Sequence, residues 1–186
     1  MKRTTPSFKG LSPASITASR IAIAASAKRD TRPEQLLQRA LRDKGLRCRV
    51  DVGSLPGRPD VVFSKLRLVV FCDGDFWHGR DLPRRLARLA AGHNAPYWVA
   101  KINSNVKRDH RVERLLKELG WDFLRFWESD ICANPKSVAN VVLRAVQRKL
   151  KHKQAKKLPP HQKIGGARRR HERPRGRSAG SIGLDY

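Results

Sequence analysis

Between Leu55 and His78 the chain reads LPGRPDVVFSKLRLVVFCDGDFWH, and this stretch limits the possible fold more tightly than any other. Pro56 and Gly57 signal a turn, and two apolar runs follow, VVF at 61–63 and LVVFC at 68–72. β-Branched and aromatic residues suit a pleated, buried surface, and the polar break at Ser64, Lys65 and Arg67 has the length of a hairpin connection. The two runs are therefore predicted to pair as strands. Asp60 opens the first, while Asp73, Asp75 and His78 crowd the end of the second. Carboxylates and an imidazole at adjacent strand ends can hold a hard divalent cation through oxygen and activate a water beside it. An isolated Asp after Pro59 would merely cap a turn. Its company across the hairpin makes Asp60 the leading candidate ligand.

On either side the apolar spacing turns helical. Thr31-Arg32-Pro33-Glu34 reads as a capping box, which accounts structurally for Glu34, ahead of a helix that buries Leu36, Leu37, Ala40 and Leu41 and stops at Gly45. Arg47 to Val50 is predicted as a strand leading into the hairpin. Leu86, Leu89 and Ala90 suggest a short basic helix within 79–96. From Tyr97 to Leu119, with Gly120 as C-cap, the residues Ile102, Val106, Val112, Leu116 and Leu119 share one arc. Asn105 and Asp109 fall inside that arc. A polar group on a buried stripe is costly unless paired, so each hydrogen-bonds within the core or faces the metal site. Trp121 to Trp127 alternates as a strand, and Asn134-Pro135 then opens a last helix bearing Val138, Val141, Val142, Ala145, Val146 and Leu150. This order predicts an α/β domain with a mixed central sheet flanked by helices.

Charge narrows the partner. Lys and Arg number 41 against 16 Asp and Glu, a net +25, and that excess calls for a polyanion, of which nucleic acid is the commonest. The expected organisation is a flexible basic arm over 1–29, a folded domain over 30–150 and a disordered basic tail over 151–186. Three widely spaced cysteines, Cys48, Cys72 and Cys132, form no framework and suggest reduced thiols in the cytoplasm. No apolar run approaches the roughly 20 residues that span a bilayer. The Ala/Ile stretch near the N-terminus is short and broken by Arg20, so no signal peptide is expected.

Several separated motifs in order, over roughly residues 17–132, carry a family likeness: Thr31-Arg32-Pro33-Glu34, Leu55 to Asp60, Phe76-Trp77-His78, Trp98 with Lys101-Ile102, Asn105-Val106, Arg108-Asp109 and Gly120-Trp121. Together they resemble the very-short-patch mismatch repair endonucleases, a branch of the PD-(D/E)XK nucleases. The resemblance implies a three-layer restriction-endonuclease-like fold and a Mg²⁺-dependent enzyme that nicks one strand at T:G mismatches. It implies Asp60 and the backbone carbonyl of Cys72 as metal ligands and His78 as general base, with Glu34 pointing into the active site. Asn105 and Asp109 would face that site, Asp109 orienting His78. Phe76, Trp77 and Trp98 would wedge between base pairs, with Arg20, Lys28 and Arg29 of the basic arm on DNA phosphates, while Lys101 and Lys107 of the helix meet phosphate or solvent. Zinc-binding members of the family carry cysteines and a histidine where this chain has Asp75, Arg80, Leu82 and Ser129, so no zinc is expected.

The expected partner is double-stranded DNA, mismatched, bound by a monomer at the nucleoid, with repair-pathway proteins as candidate associates. Two rivals stand beside this reading. One is a restriction- or defence-type endonuclease without mismatch preference; the other is a non-catalytic DNA-binding protein. Carboxylates near phosphate weaken binding unless a cation is present, which argues against the second.

Overall fold

The computed structural model describes residues 30–50, 52–92 and 94–157, together with Pro6. Arg20, Lys28 and Arg29 of the basic arm lie outside the described residues, as does the tail beyond 157. Helix α1 (Arg32–Asp43) precedes an antiparallel hairpin of β1 (Val61–Phe63) and β2 (Leu68–Asp73). A 3-10 turn at Ser64–Leu66 joins the strands, with Arg67 left-handed at φ 47°. There follow α2 (Leu82–Ala90), α3 (Ala95–Glu118), β3 (Asp122–Trp127), the short α4 (Glu128–Ala133) and α5 (Pro135–Lys157).

The sheet order is β1-β2-β3, and β3 runs parallel to β2 with Asp73 opposite Trp127. A parallel neighbour requires a crossover, which α3 supplies. β2 is apolar on both faces because helices cover both. Val61, Phe63, Leu68 and Val70 meet Leu37, Leu41, Ile131 and Val142 of α1, α4 and α5. On the other face Val62, Val69 and Phe71 meet Val112 and Leu116 of α3. Three layers around a mixed sheet result, as expected of a restriction-endonuclease-like α/β domain. Among the described residues no helix is long and apolar enough to cross a membrane.

Several local expectations need correction. The strand foreseen over Arg47–Val50 reduces to one antiparallel bridge, Arg49 with Val62, because β1 is only three residues long and offers nothing further to pair with. The Thr31 hydroxyl caps no backbone N–H. It donates instead to Glu34 Oε1 at 2.6 Å, while Glu34 Oε2 accepts from the Asp30 N–H at 3.0 Å, one residue earlier than a capping box would have it. Leu119, at the end of α3, and Leu150, within α5, are exposed rather than buried. α4 was not expected at all, and α5 continues seven residues past the expected end of the domain at 150. Asn134 does cap α5, its Oδ1 accepting the Ser137 N–H at 2.9 Å.

The turn that delivers Asp60 to the sheet depends on one glycine. Gly57 has φ +77°, and a Cβ there would lie 2.5 Å from Val112 Cγ1 on α3. Gly57→Ala should therefore combine a left-handed penalty with overpacking, a loss of about 1–3 kcal/mol. Gly53, which has nothing within 4 Å of a built Cβ, serves as control. In thermal melts Gly57→Ala should unfold several degrees earlier while Gly53→Ala melts with wild type; equal melting of the two would disprove the packing role.

Candidate active site

The C-terminal ends of β2 and β3 open onto a cleft of about 730 Å³, whose lining includes Glu34, Asp60, Cys72, Asp73, Trp77 and His78. Asp60 enters it from the residue before β1, where its N–H bonds to the Val70 carbonyl at 3.1 Å and its Oδ2 accepts the Cys72 N–H at 2.6 Å. Burial pushes its carboxyl up to about 7, and the neighbouring Glu34 and Asp73 add to the rise against the Cys72 hydrogen bond. Such a carboxylate lacks a cation. Burial likewise pushes the Cys72 thiol far above its ordinary value, so the oxygen this residue offers is its backbone carbonyl.

His78 stands at the end of the turn that follows β2, its N–H bonded to the Gly74 carbonyl at 3.0 Å. Its Nδ1 lies 2.6 Å from Asp109 Oδ2 on α3. Arg125 Nη2 also approaches Nδ1, at 3.2 Å, but Nδ1 cannot both donate and accept through the same position. The shorter contact to a carboxylate decides the tautomer: Nδ1 carries the proton and Nε2 keeps a lone pair. Burial works to raise Asp109, yet the hydrogen bond from His78 Nδ1 and the nearby Arg125 and Arg108 cations hold it below its ordinary value. An ionised Asp109 is the acceptor that this tautomer needs. Asn105, one turn earlier on α3, donates its Nδ2 to the Trp77 carbonyl at 2.9 Å and so ties the helix to the same turn.

Thus the fold brings Glu34, Asp60, Cys72 and His78 to one cleft, with Asp109 and Asn105 behind the imidazole. Phe76, Trp77 and Trp98 cluster beside it: Phe76 meets the two indoles edge-on at 5.0 and 5.7 Å, and the indoles lie 6.2 Å apart. Arg85 of α2 stacks over Phe76 at 5.2 Å. Lys101 and Lys107 are outside the cleft lining, where Arg58 and Arg108 appear instead.

Asp75 turns away from the cleft. Its N–H bonds to Glu128 Oε1 at 3.0 Å and its Oδ1 lies 3.7 Å from Arg80, which also bonds Ser129 Oγ and, at 2.8 Å, Asp130 Oδ1. A guanidinium, a hydroxyl and a carboxylate already engaged with each other make a poor donor set for zinc. The residue that sequence reading missed is Arg125. It was visible as the one cation inside the strand WDFLRFW, but nothing local says which acids it meets.

Among the described residues no three His, Cys, Asp or Glu side chains converge as a metal cage. Mg²⁺ asks for less, because it keeps several waters and takes only one or two carboxylates from protein. One under-neutralised carboxylate, Asp60, with the Cys72 carbonyl and the nearby Glu34 fits that demand.

A family model described as DNA mismatch endonuclease Vsr matches residues 17–84. The chain is 43% identical over 119 residues to the type II nicking enzyme V.NmeDIP of Neisseria meningitidis serogroup C, covering 64% of this chain and 79% of that one. It is 36% identical over 123 residues to the type II nicking enzyme V.HpaIIP of Haemophilus parainfluenzae, covering 66% and 86%. The DNA mismatch endonuclease Vsr of Escherichia coli (strain K12) matches at 43% over 104 residues, 56% of this chain and 65% of that one. Likeness of this degree over most of the first two relatives, on a chain whose hairpin is flanked by Asp60 before its first strand and His78 in the turn after its second, means that this protein belongs to the Vsr family of DNA mismatch endonucleases.

Proposed function

We propose that this DNA endonuclease is Mg²⁺-dependent and nicks one strand of duplex DNA beside a T:G mismatch. The observation that carries the reading is the 2.6 Å bond from His78 Nδ1 to Asp109, which leaves Nε2 to accept a proton in the cleft that Asp60 lines. His78 Nε2 takes the proton of the attacking water, and Asp109 stabilises the imidazolium that forms. Asp60 and the Cys72 carbonyl hold the cation, with Glu34 beside them. When bound, Mg²⁺ would polarise the phosphate and stabilise charge on the leaving oxygen. Arg58 and Arg108, on the cleft wall, meet the DNA backbone. On this reading the enzyme works in the cytoplasm as a monomer on nucleoid DNA, with Lys101 and Lys107 on further phosphates.

The aromatic cluster supports the mismatch preference. Three half-buried rings that brace one another form a stiff wedge, and unstacking a base step costs a few kcal/mol, least where pairing is already defective. Trp77 joins that wedge to the catalytic cleft, since its carbonyl is held by Asn105 and its ring lines the cavity.

Asp60→Asn should bind DNA but fail to cleave it, because a neutral amide is a poorer ligand for a hard cation. The same variant tests the burial of the charge. With the folded carboxyl near 7 against an ordinary value of 3.8, the folded state binds the proton more tightly, so this group stabilises below about pH 4 and the stabilisation is lost as pH rises through about 7. In chelator, wild type should lose melting temperature over that window relative to Asp60→Asn; parallel curves would contradict a strained carboxylate. His78→Ala should lower kcat by roughly 10²–10⁴, the usual worth of a general base. Wild-type turnover by that variant would exclude the imidazole from proton transfer.

Mismatch selectivity is tested by single-turnover nicking of T:G and matched duplexes of the same sequence. Wild type should cut the T:G strand faster, and Trp77→Ala should lose that advantage while keeping nonspecific binding, which rests on phosphate contacts. Equal rates on both duplexes, or cleavage of both strands together, would favour a restriction-type enzyme.

A further inference from the structure

Arg125 is the most heavily engaged cation near the site. It lies on the sheet face covered by α3, in register with Phe71 of β2, and its guanidinium stacks over that buried ring at 5.0 Å. Nε donates to Asp73 Oδ2 at 2.5 Å and Nη2 to Asp73 Oδ1 at 2.8 Å, a two-point fork that lysine cannot reproduce. Nη1 reaches Glu113 Oε1 at 3.3 Å, and Nη2 lies 3.5 Å from Asp109 Oδ2. Asp109 and Glu113 are one turn apart on α3, so a single guanidinium ties β2, β3 and the crossover helix together behind His78. All three of its nitrogens point at carboxylates. Arg125 is thus no phosphate contact.

Asp73 is 4% exposed, one residue beyond Cys72, and its charge acts on Asp60. Left alone, its two oxygens would be the strongest hard-cation donors near Asp60. They would draw a cation toward the β2–β3 floor or hold a second one. Both oxygens are instead committed to Arg125.

We propose that Arg125 is a positioning residue that withholds Asp73 from the cation site and fixes Asp109 as the acceptor of the His78 Nδ1 proton, leaving the cleft with Asp60 as its one committed carboxylate ligand. The inference rests on the proposed cation site at Asp60. It predicts an unusual pairing of effects: removing Arg125 should tighten cation binding and slow the enzyme.

The test uses the full chain, with Mn²⁺ titrated by electron paramagnetic resonance in the absence of DNA and nicking measured separately. Wild type should bind one Mn²⁺. Arg125→Gln should bind it at least about tenfold more tightly or take up a second ion, while kcat falls roughly 10–100-fold, the usual effect of losing a partner behind a ligand or base, and KM for duplex stays within about twofold. A general loosening of the fold would weaken both. Because Arg125→Gln leaves Asp73 buried without its cation, the double variant Asp73→Asn/Arg125→Gln, in which no lone charge remains, is measured alongside. It should return Mn²⁺ affinity to the wild-type value and keep the low kcat, and the ¹⁵N spectrum of His78 should show the Nδ1-protonated form no longer dominant. Unchanged or weaker Mn²⁺ binding by folded Arg125→Gln, or wild-type kcat in the double variant, would overturn the proposal while the cation reading of Asp60 stands. If wild type itself binds no Mn²⁺, both fall.

Discussion

The two-sided burial of β2 is the constraint from which the rest of the molecule follows. Leu68 to Phe71 are buried without exception, Leu68 and Val70 against α1, α4 and α5 and Val69 and Phe71 against α3. A strand apolar on both faces cannot sit at a solvent surface, so it must be central, with neighbours on both edges and helices above and below. One neighbour comes cheaply from the hairpin. The other is parallel, and the crossover it demands is the helix that carries Asn105, Asp109 and Glu113 to the end of β2. The chemistry at His78 is in this sense a consequence of strand pairing: the connection that completes the sheet also supplies the acceptor for Nδ1.

What the strand ends gather is electrostatically awkward. Glu34, Asp60, Asp73, Asp109 and Glu113 approach one another in a protein of large positive net charge, yet the surface cations do not reach them all. The fold answers differently at each. Asp109 is held ionised by His78, Arg125 and Arg108 despite its burial. Asp73 is matched by the Arg125 fork, and Arg125 in turn is driven above its ordinary value, burial notwithstanding, by the charges of Asp73, Asp109 and Glu113. Asp60 has backbone N–H groups and, among the charges that act on it, no cation. That contrast within a few ångströms, one carboxylate fully matched and its neighbour short of positive charge, marks where an external cation is wanted more clearly than residue type does.

How much of this was legible in the sequence depends on range. The hairpin and the helices that stop at Gly45 and Gly120 are local patterns, legible within a residue or two, whereas the short α4 and the last turns of α5 are not. Asp109 was flagged because a charge inside an apolar arc must find a partner, and the partner is there at 2.6 Å. Arg125 and Asp73 are 52 residues apart, and their pairing is set by the register of two parallel strands that no local pattern encodes. For the same reason Asp73 and Asp75, equal on paper, separate in space: strand alternation leaves Asp73 on the α3 face beneath His78, while the turn after β2 sends Asp75 toward the start of α4. The capping box failed for a subtler reason. The motif was correct as a set of partners, but a hydroxyl donates equally well to the carboxylate it was expected to assist.

The loop from Gly74 to Asp81 shows how such a site is stiffened without a metal cage of its own. Its most visible side-chain cluster, Arg80 with Asp75, Ser129 and Asp130, is solvent-exposed, and ion pairs in that setting contribute little to stability. The rigidity has a better source in the backbone and in packing. His78 and Arg80 N–H groups close successive turns onto Gly74 and Asp75, and Asn105 clamps the Trp77 carbonyl from α3. Gly79, at φ +73°, lets the chain pass so close to α3 that a Cβ would lie 3.2 Å from Val106. With the loop fixed from beneath by α3, the imidazole it carries is presented at the angle Asp109 requires, and the exposed Arg80 cluster has only to tie the outer edge of the loop to α4.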